Sequence, residues 1–164
     1  MRKIVGISLL LTGGLFLLGC KPITTVDQMG YIKAKDVDGK VVTTLDFAQG
    51  GGTKTIIVES TMPRWLARPT SLSGIPFIHP QPGDPEYNEG FITFENLDGW
   101  MTIKYRHAPG GDDSPFFLDV FTGSIEVTVE ANTTGVARED GIYIWNDDIP
   151  ATTLRSAEVV VRQP

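Results

Sequence analysis

Period-two alternation, in runs too short for helices and punctuated by turn residues, constrains this chain more than any other feature. SIEVTVE (124–130) places Ile125, Val127 and Val129 on one side, and GIYIWN (141–146) does the same with Ile142 and Ile144. Successive side chains of an extended strand point to opposite faces, so this pattern fits a half-buried strand and not a helix. VVTTLDF (41–47) aligns Val41, Thr43, Leu45 and Phe47, KTIIVES (54–60) aligns Ile56 and Val58, and WMTIKYR (100–106) aligns Met101, Ile103 and Tyr105. FITFEN, FFLDVF and AEVVVRQ bring the total to about eight runs. No long stretch shows a 3.6-residue period. An all-β, immunoglobulin-like sandwich of about 7–8 strands follows. Its predicted core is Leu45, Phe47, Ile56, Val58, Ile103, Ile125, Val127, Val129, Ile142, Ile144, Val159 and Val161, with Tyr105 inward.

The turns carry their own signals. AQGGGT, with Gly50, Gly51 and Gly52, predicts a hairpin between VVTTLDF and KTIIVES, the glycines supplying positive φ. Six of the eleven prolines fall between Pro63 and Pro85, which forbids central-strand pairing there and marks 63–90 as a proline-rich insertion. EANTTGVARED (130–140) joins two strands; Asn132 and Gly135 suit left-handed backbone, and Arg138 offers five donors to pin loop carbonyls.

The N-terminus departs from this rhythm. MRKIVGISLLLTGGLFLLGC has two cations, then a short, glycine-broken apolar run, which is the plan of a secretory signal and not of a transmembrane span. LLGC resembles a bacterial lipobox, which implies a signal peptide over 1–19, cleavage before Cys20 and acylation (palmitate) of that cysteine. Several acyl chains give a stable anchor where one gives a marginal one. Cys20 is the only cysteine, so the mature domain carries no disulfide. Residues 20–37 are read as a lipidated tether and 38–164 as the domain. Lys21 follows the cysteine where resemblance to retained lipoproteins would require Asp, so an outer-membrane envelope location is expected, with the periplasmic or surface side left open.

LDFAQGGGTKTIIVESTMPRW, GWMTIKY, VTVEANTTGVAREDGIYIW and the closing VVVRQP together resemble a BACON domain, a module typical of Bacteroidota. The resemblance rests on Gly51, Val58, Ser60, Trp65, Trp100, Asn132, Gly135, Arg138, Ile142, Ile144 and Gln163. It implies an immunoglobulin-like sandwich with a non-catalytic role in binding carbohydrate or mucin-type glycoprotein, some members being spacers. Two departures stand out. The proline-rich segment after Trp65 is longer than the usual linker, and no catalytic domain accompanies the module, so any enzyme or envelope protein it serves is expected to be a separate chain.

Charge and chemistry narrow the function further. The net charge is −6, with no cluster of Lys and Arg, which argues against nucleic acid. His79 and His107 lack metal-ligand spacing, nothing resembles a nucleophile elbow, and no cofactor is expected. Asp112–Asp113 and Asp147–Asp148 read as solvated turn residues, since their spacing fits no calcium loop. NTT fits a glycosylation sequon, which a lipobox-bearing bacterial chain leaves unused. The aromatics remain. With Ile142 and Ile144 inward, Tyr143 and Trp145 face outward about 6.6 Å apart, able to stack on consecutive sugars. Asn146 and Asp147 lie beside them as hydrogen-bonding groups. Trp65 and Trp100 are candidate glycan contacts or core residues. The competing reading has the proline-rich segment fold over Tyr143 and Trp145, leaving a spacer or protein-interaction module.

Overall fold

The computed structural model describes residues 31–61, 65–77, 90–106, 120–146 and 156–164. These form β1 (Ile32–Lys35), β2 (Thr44–Asp46), β3 (Gly52–Ser60), β4 (Trp65–Pro69), β5 (Phe91–Glu95), β6 (Met101–Arg106), β7 (Phe121–Val129), β8 (Arg138–Asn146) and β9 (Ser156–Gln163). The strands build two sheets, ordered β1-β3-β7-β6-β5 and β2-β9-β8-β4. This is an all-β sandwich whose connectivity follows the immunoglobulin pattern: β1, β3, β7 and β6 form one sheet, and β4, β8 and β9 lie in the other. Tyr31, the end of β3 and the starts of β4 and β7 share one end. The β2–β3 turn, the β7–β8 connection and the C-terminus share the other.

Alternation places the core correctly. All twelve residues expected inside are buried, as is Tyr105. They interdigitate between the sheets with Trp65, Ala67, Trp100 and Met101, while Leu66, also buried, stands opposite Trp145 on the outer face of its sheet. Trp65 lies 5.3 Å from the Tyr105 ring, centroid to centroid. A Cβ on Gly123 would come within 2.4 Å of its indole, so β7 leaves out one side chain to seat that ring.

Local turn and segment readings fare less well. AQGGGT does not close a hairpin: β2 pairs in parallel with β9 in the second sheet, Leu45 opposite Val161, while β3 belongs to the first. The turn therefore carries the chain across the sandwich. Burial of Leu45 and Phe47 against the core sets this choice, which local turn chemistry cannot foresee. Gly51 and Gly52 have positive φ, but Gly50 does not. Val41 is exposed, because the extended segment shortens to Thr44–Asp46. The tether expected over 20–37 contains β1, which is antiparallel to β3 with Ile32 opposite Ser60. Four residues of IKAK alternation are too few to stand out from polar surroundings. The proline-rich region likewise contains β4, which sits at a sheet edge and ends on Pro69, as proline's missing N–H allows.

Candidate functional site

Among the described residues, several side-chain assemblies hold chemistry beyond the apolar core, and the first gathers residues of the β7–β8 loop. Asn132 is buried, and it turns the chain without left-handed backbone; in this loop only Gly135, with φ +69°, supplies that. The Asn132 side chain replaces the expected dihedral. Its Nδ2 donates to Val136 O (2.8 Å) and Pro164 O (2.7 Å), and its Oδ1 accepts from Thr134 N and Oγ1. Arg138 donates from Nε to Gln163 Oε1 and from Nη2 to Glu130 O, each at 2.7 Å, with its guanidinium 4.8 Å above the Trp100 ring. Gln163 Nε2 lies within 3.0 Å of the carbonyl oxygens of Ala48, Gln49 and Glu130. One glutamine on β9 thus binds the β2–β3 turn, the end of β7 and the start of β8. Every acceptor in this assembly is satisfied internally, so its role is to hold the sandwich end together. Arg138→Ala is expected to cost about 2 kcal/mol by stranding Gln163 Oε1 and removing one of the two donors to Glu130 O. Thermal denaturation should show the loss, while any ligand binding by the folded protein stays unchanged.

The second assembly centres on Asp140, which shares the inward parity of Ile142 and Ile144. Oδ1 accepts from Thr70 Oγ1 (2.8 Å), Ser71 N (3.1 Å) and Gly141 N (2.7 Å). Oδ2 accepts from Ser71 Oγ (2.6 Å) and Asn96 Nδ2 (3.1 Å). Asn96 Oδ1 in turn accepts from the backbone N–H groups of Trp100 and Met101. The carboxylate therefore links β8, the 3-10 turn after β4, and the β5–β6 connection of the opposite sheet. Burial pushes the Asp140 carboxyl up, but the donors from Ser71, Thr70, Asn96 and Gly141 N outweigh it and hold it below the ordinary aspartate value. Sequence reasoning passes over Asp140. A carboxylate in register with the buried positions of a strand is the available signal.

The third assembly is the outer face of the four-stranded sheet. Tyr143 and Trp145 do lie on that face, both half-buried, but they do not stand side by side as two open rings. They stack on each other, centroids 5.7 Å apart and planes at 17°. The Arg68 guanidinium lies 5.4 Å from the Trp145 centroid, and Phe77 meets Trp145 edge-on at 5.8 Å. Arg68 also donates to Ile75 O (2.8 Å) and Ser73 O (3.0 Å), clamping the chain after β4 beside this face. The described part of the proline-rich region, 65–77, thus reaches the aromatic pair, which is half-buried. Register adds two groups: Glu158 stands opposite Tyr143, and Ser156 opposite Trp145. Alternation alone does not reveal Arg68, Phe77, Ser156 and Glu158, because cross-strand pairing brings Arg68, Ser156 and Glu158 here and the path of the chain after β4 brings Phe77.

The remaining candidates separate. Trp65 and Trp100 are 2% and 5% exposed, so neither presents a ring face to a ligand; packing between the sheets takes both. Asn146 is buried and does not accompany Trp145 at the surface. Cys20, Asp147, Asp148, Asp112, Asp113, His79 and His107 lie outside the described residues. Among the described residues, no group of three or more His, Cys, Asp or Glu side chains could hold a metal ion.

No family model matches this chain, and no curated protein does. Among solved structures, the Bacteroides ovatus GH5 xyloglucanase in complex with a XXXG heptasaccharide is similar over 80% of this chain, with a TM-score of 0.42 and 14% identity. The chain spans 18% of that structure's length.

Proposed function

We infer that this chain is a BACON-type envelope lipoprotein, anchored through Cys20, that binds carbohydrate or glycoprotein as a non-catalytic accessory module. The Tyr143–Trp145 pair carries the reading: two half-exposed rings stack on a regular strand. Glu158 and Ser156 lie in register beside them. The apolar face of a sugar can extend the stack while Glu158 accepts, and Ser156 exchanges, hydrogen bonds with its hydroxyls. Anchorage at the outer membrane would hold the module where extracellular or periplasmic glycans are handled.

Burial of Trp65 and Trp100 makes the test specific, because acrylamide quenching then reports on Trp145 among the three tryptophans. A glycan array with the purified chain should give at least one ligand that shields Trp145 from acrylamide. Trp145→Ala should weaken that binding about tenfold, on the order of 1.4 kcal/mol. An array without hits sinks the reading. The contacts that Phe77 and Arg68 make with Trp145 favour a second reading, a spacer or protein-docking module, in which those contacts serve only the fold. Co-purification of one reproducible envelope partner, alongside an empty glycan array, would select it.

A further inference from the structure

The outer face of the five-stranded sheet carries a different chemistry, laid out by strand register. One row across it reads Lys35, Ile57, Ser124, Arg106 and Phe91; the row on its Tyr31 side reads Lys33, Glu59 and Thr122. Arg106 and Ser124 are neighbours by extension of the Lys104–Glu126 and Tyr105–Ile125 pairs. The row on the other side reads Thr55, Glu126, Lys104 and Thr93. Four cations and two carboxylates occupy this region of a chain whose net charge is −6. Glu59 is engaged by Lys35 Nζ and Tyr31 Oη.

The other three cations are held in an unusual way. Lys33 Nζ lies 4.2 Å from the centroid of Tyr31, Lys104 Nζ lies 4.8 Å from that of Phe91, and Arg106 lies 5.4 Å from the same ring. Among the described residues, none of the three forms an ion pair, although Glu59 and Glu126 stand opposite Lys33 and Lys104 in register. An aromatic ring restrains a cation without cancelling its charge, so all three remain exposed and available to an anion. Between them, β7 contributes the exposed hydroxyls of Thr122 and Ser124 and, beside Lys104, the exposed Glu126, while β3 contributes Ile57 and the Glu59 already held by Lys35 and Tyr31. β1 and β6 are three strand spacings apart, about 14 Å. The result is a floor on which two hydroxyls stand between aromatic-mounted cations on both sides, with Glu59 engaged by Lys35 and Tyr31 and Glu126 at its edge beside Lys104.

We propose that this face binds an extended anionic polysaccharide, carrying carboxylate or sulfate groups, across the strands. Lys104 and Arg106 take one anionic group, Lys33 takes another, and Thr122 and Ser124 meet the sugar hydroxyls between them. This site is separate from the Tyr143–Trp145 face and stands or falls independently of it.

The test uses the full chain in non-ionic detergent and affinity electrophoresis through gels containing polygalacturonate, dextran sulfate or neutral dextran. Retardation by at least one of the two charged polymers and none by dextran is expected. It should fall steeply over roughly 50 to 300 mM salt, where screening removes exposed charge contacts. The two polymers distinguish carboxylate from sulfate recognition. Lys104→Gln with Arg106→Gln should weaken binding about tenfold, and Lys33→Gln about threefold, without changing the melting temperature. Phe91→Ala, which keeps every charge, should weaken it several-fold, and Trp145→Ala should leave it unchanged. No retardation by either polymer, or retardation that survives the double substitution, overturns the proposal. Equal retardation by linear polyphosphate, unaffected by Phe91→Ala, also overturns it by reducing the face to unselective charge.

Discussion

Asp140→Ala is expected to lower the stability of the folded domain by about 4 kcal/mol at neutral pH, which would move a urea midpoint by about 2 M. The substitution removes one carboxylate but leaves donors from Thr70, Ser71, Asn96 and Gly141 facing a void. The buried Asn96 amide is left without that acceptor, and the bonds to Thr70, Ser71 and Gly141 go with it, which is why the loss exceeds that of a single average hydrogen bond. Asp140→Asn keeps the shape and one acceptor oxygen but turns an NH2 group toward donors, and should cost about 2 kcal/mol. Equal stability of wild type and Asp140→Ala would show that the staple between the sheets is dispensable.

The same residue predicts the acid limb of the stability profile. Its carboxyl titrates lower in the folded protein than in the unfolded chain, because the hydrogen bonds outweigh the cost of burial. The unfolded state therefore binds the proton more readily, so the stabilisation is complete above the unfolded value, about 3.9, and is lost as pH falls through the lower folded one. Glu59, lowered chiefly by its hydrogen bonds from Lys35 and Tyr31, contributes in a similar window. The difference between wild type and Asp140→Asn isolates the Asp140 share. It should be constant from about pH 7 to pH 5 and shrink below about pH 4.

How much of the molecule is legible in its sequence depends on the range of the interaction. Alternation finds the core, because which side of a strand a residue faces is a local property; Ile125, Val127 and Val129 announce it without knowing their partners. Sheet membership is not local. The glycine turn before β3 reads as a hairpin, yet Leu45 pairs with Val161 at the far end of the chain. The aromatic face shows both limits together. Outward orientation of Tyr143 and Trp145 follows from parity, whereas Arg68 and Phe77 reach them through strand pairing and the path of the chain after β4. At Asn132 the sequence points to the right position for the wrong reason, since amide hydrogen bonding and not backbone handedness accounts for its burial.

Gly51→Ala should be nearly as damaging as removal of Asp140, at about 4 kcal/mol, lowering the melting temperature by on the order of 15 °C. Two effects combine there. Gly51 has φ +74°, where an L side chain costs roughly 1–2 kcal/mol. An added Cβ would also lie 2.2 Å from Val129 O and 2.7 Å from Glu130 C, backbone atoms of a central strand and its exit that cannot move aside as a flexible side chain would. To relieve that contact the turn must withdraw, and Ala48 and Gln49 are the residues whose carbonyls Gln163 holds. Withdrawal therefore loosens the hydrogen bonds that Gln163 makes with Arg138 and Glu130 as well. Gly39→Ala supplies the comparison. Gly39 has φ +83°, but a Cβ added there would meet no heavy atom within 4 Å, so it bears the conformational cost alone. A drop for Gly51→Ala no larger than that for Gly39→Ala would mean that the turn can retreat from β7 without disturbing Gln163. In that event the glutamine network would be a consequence of the fold's end and not what holds it.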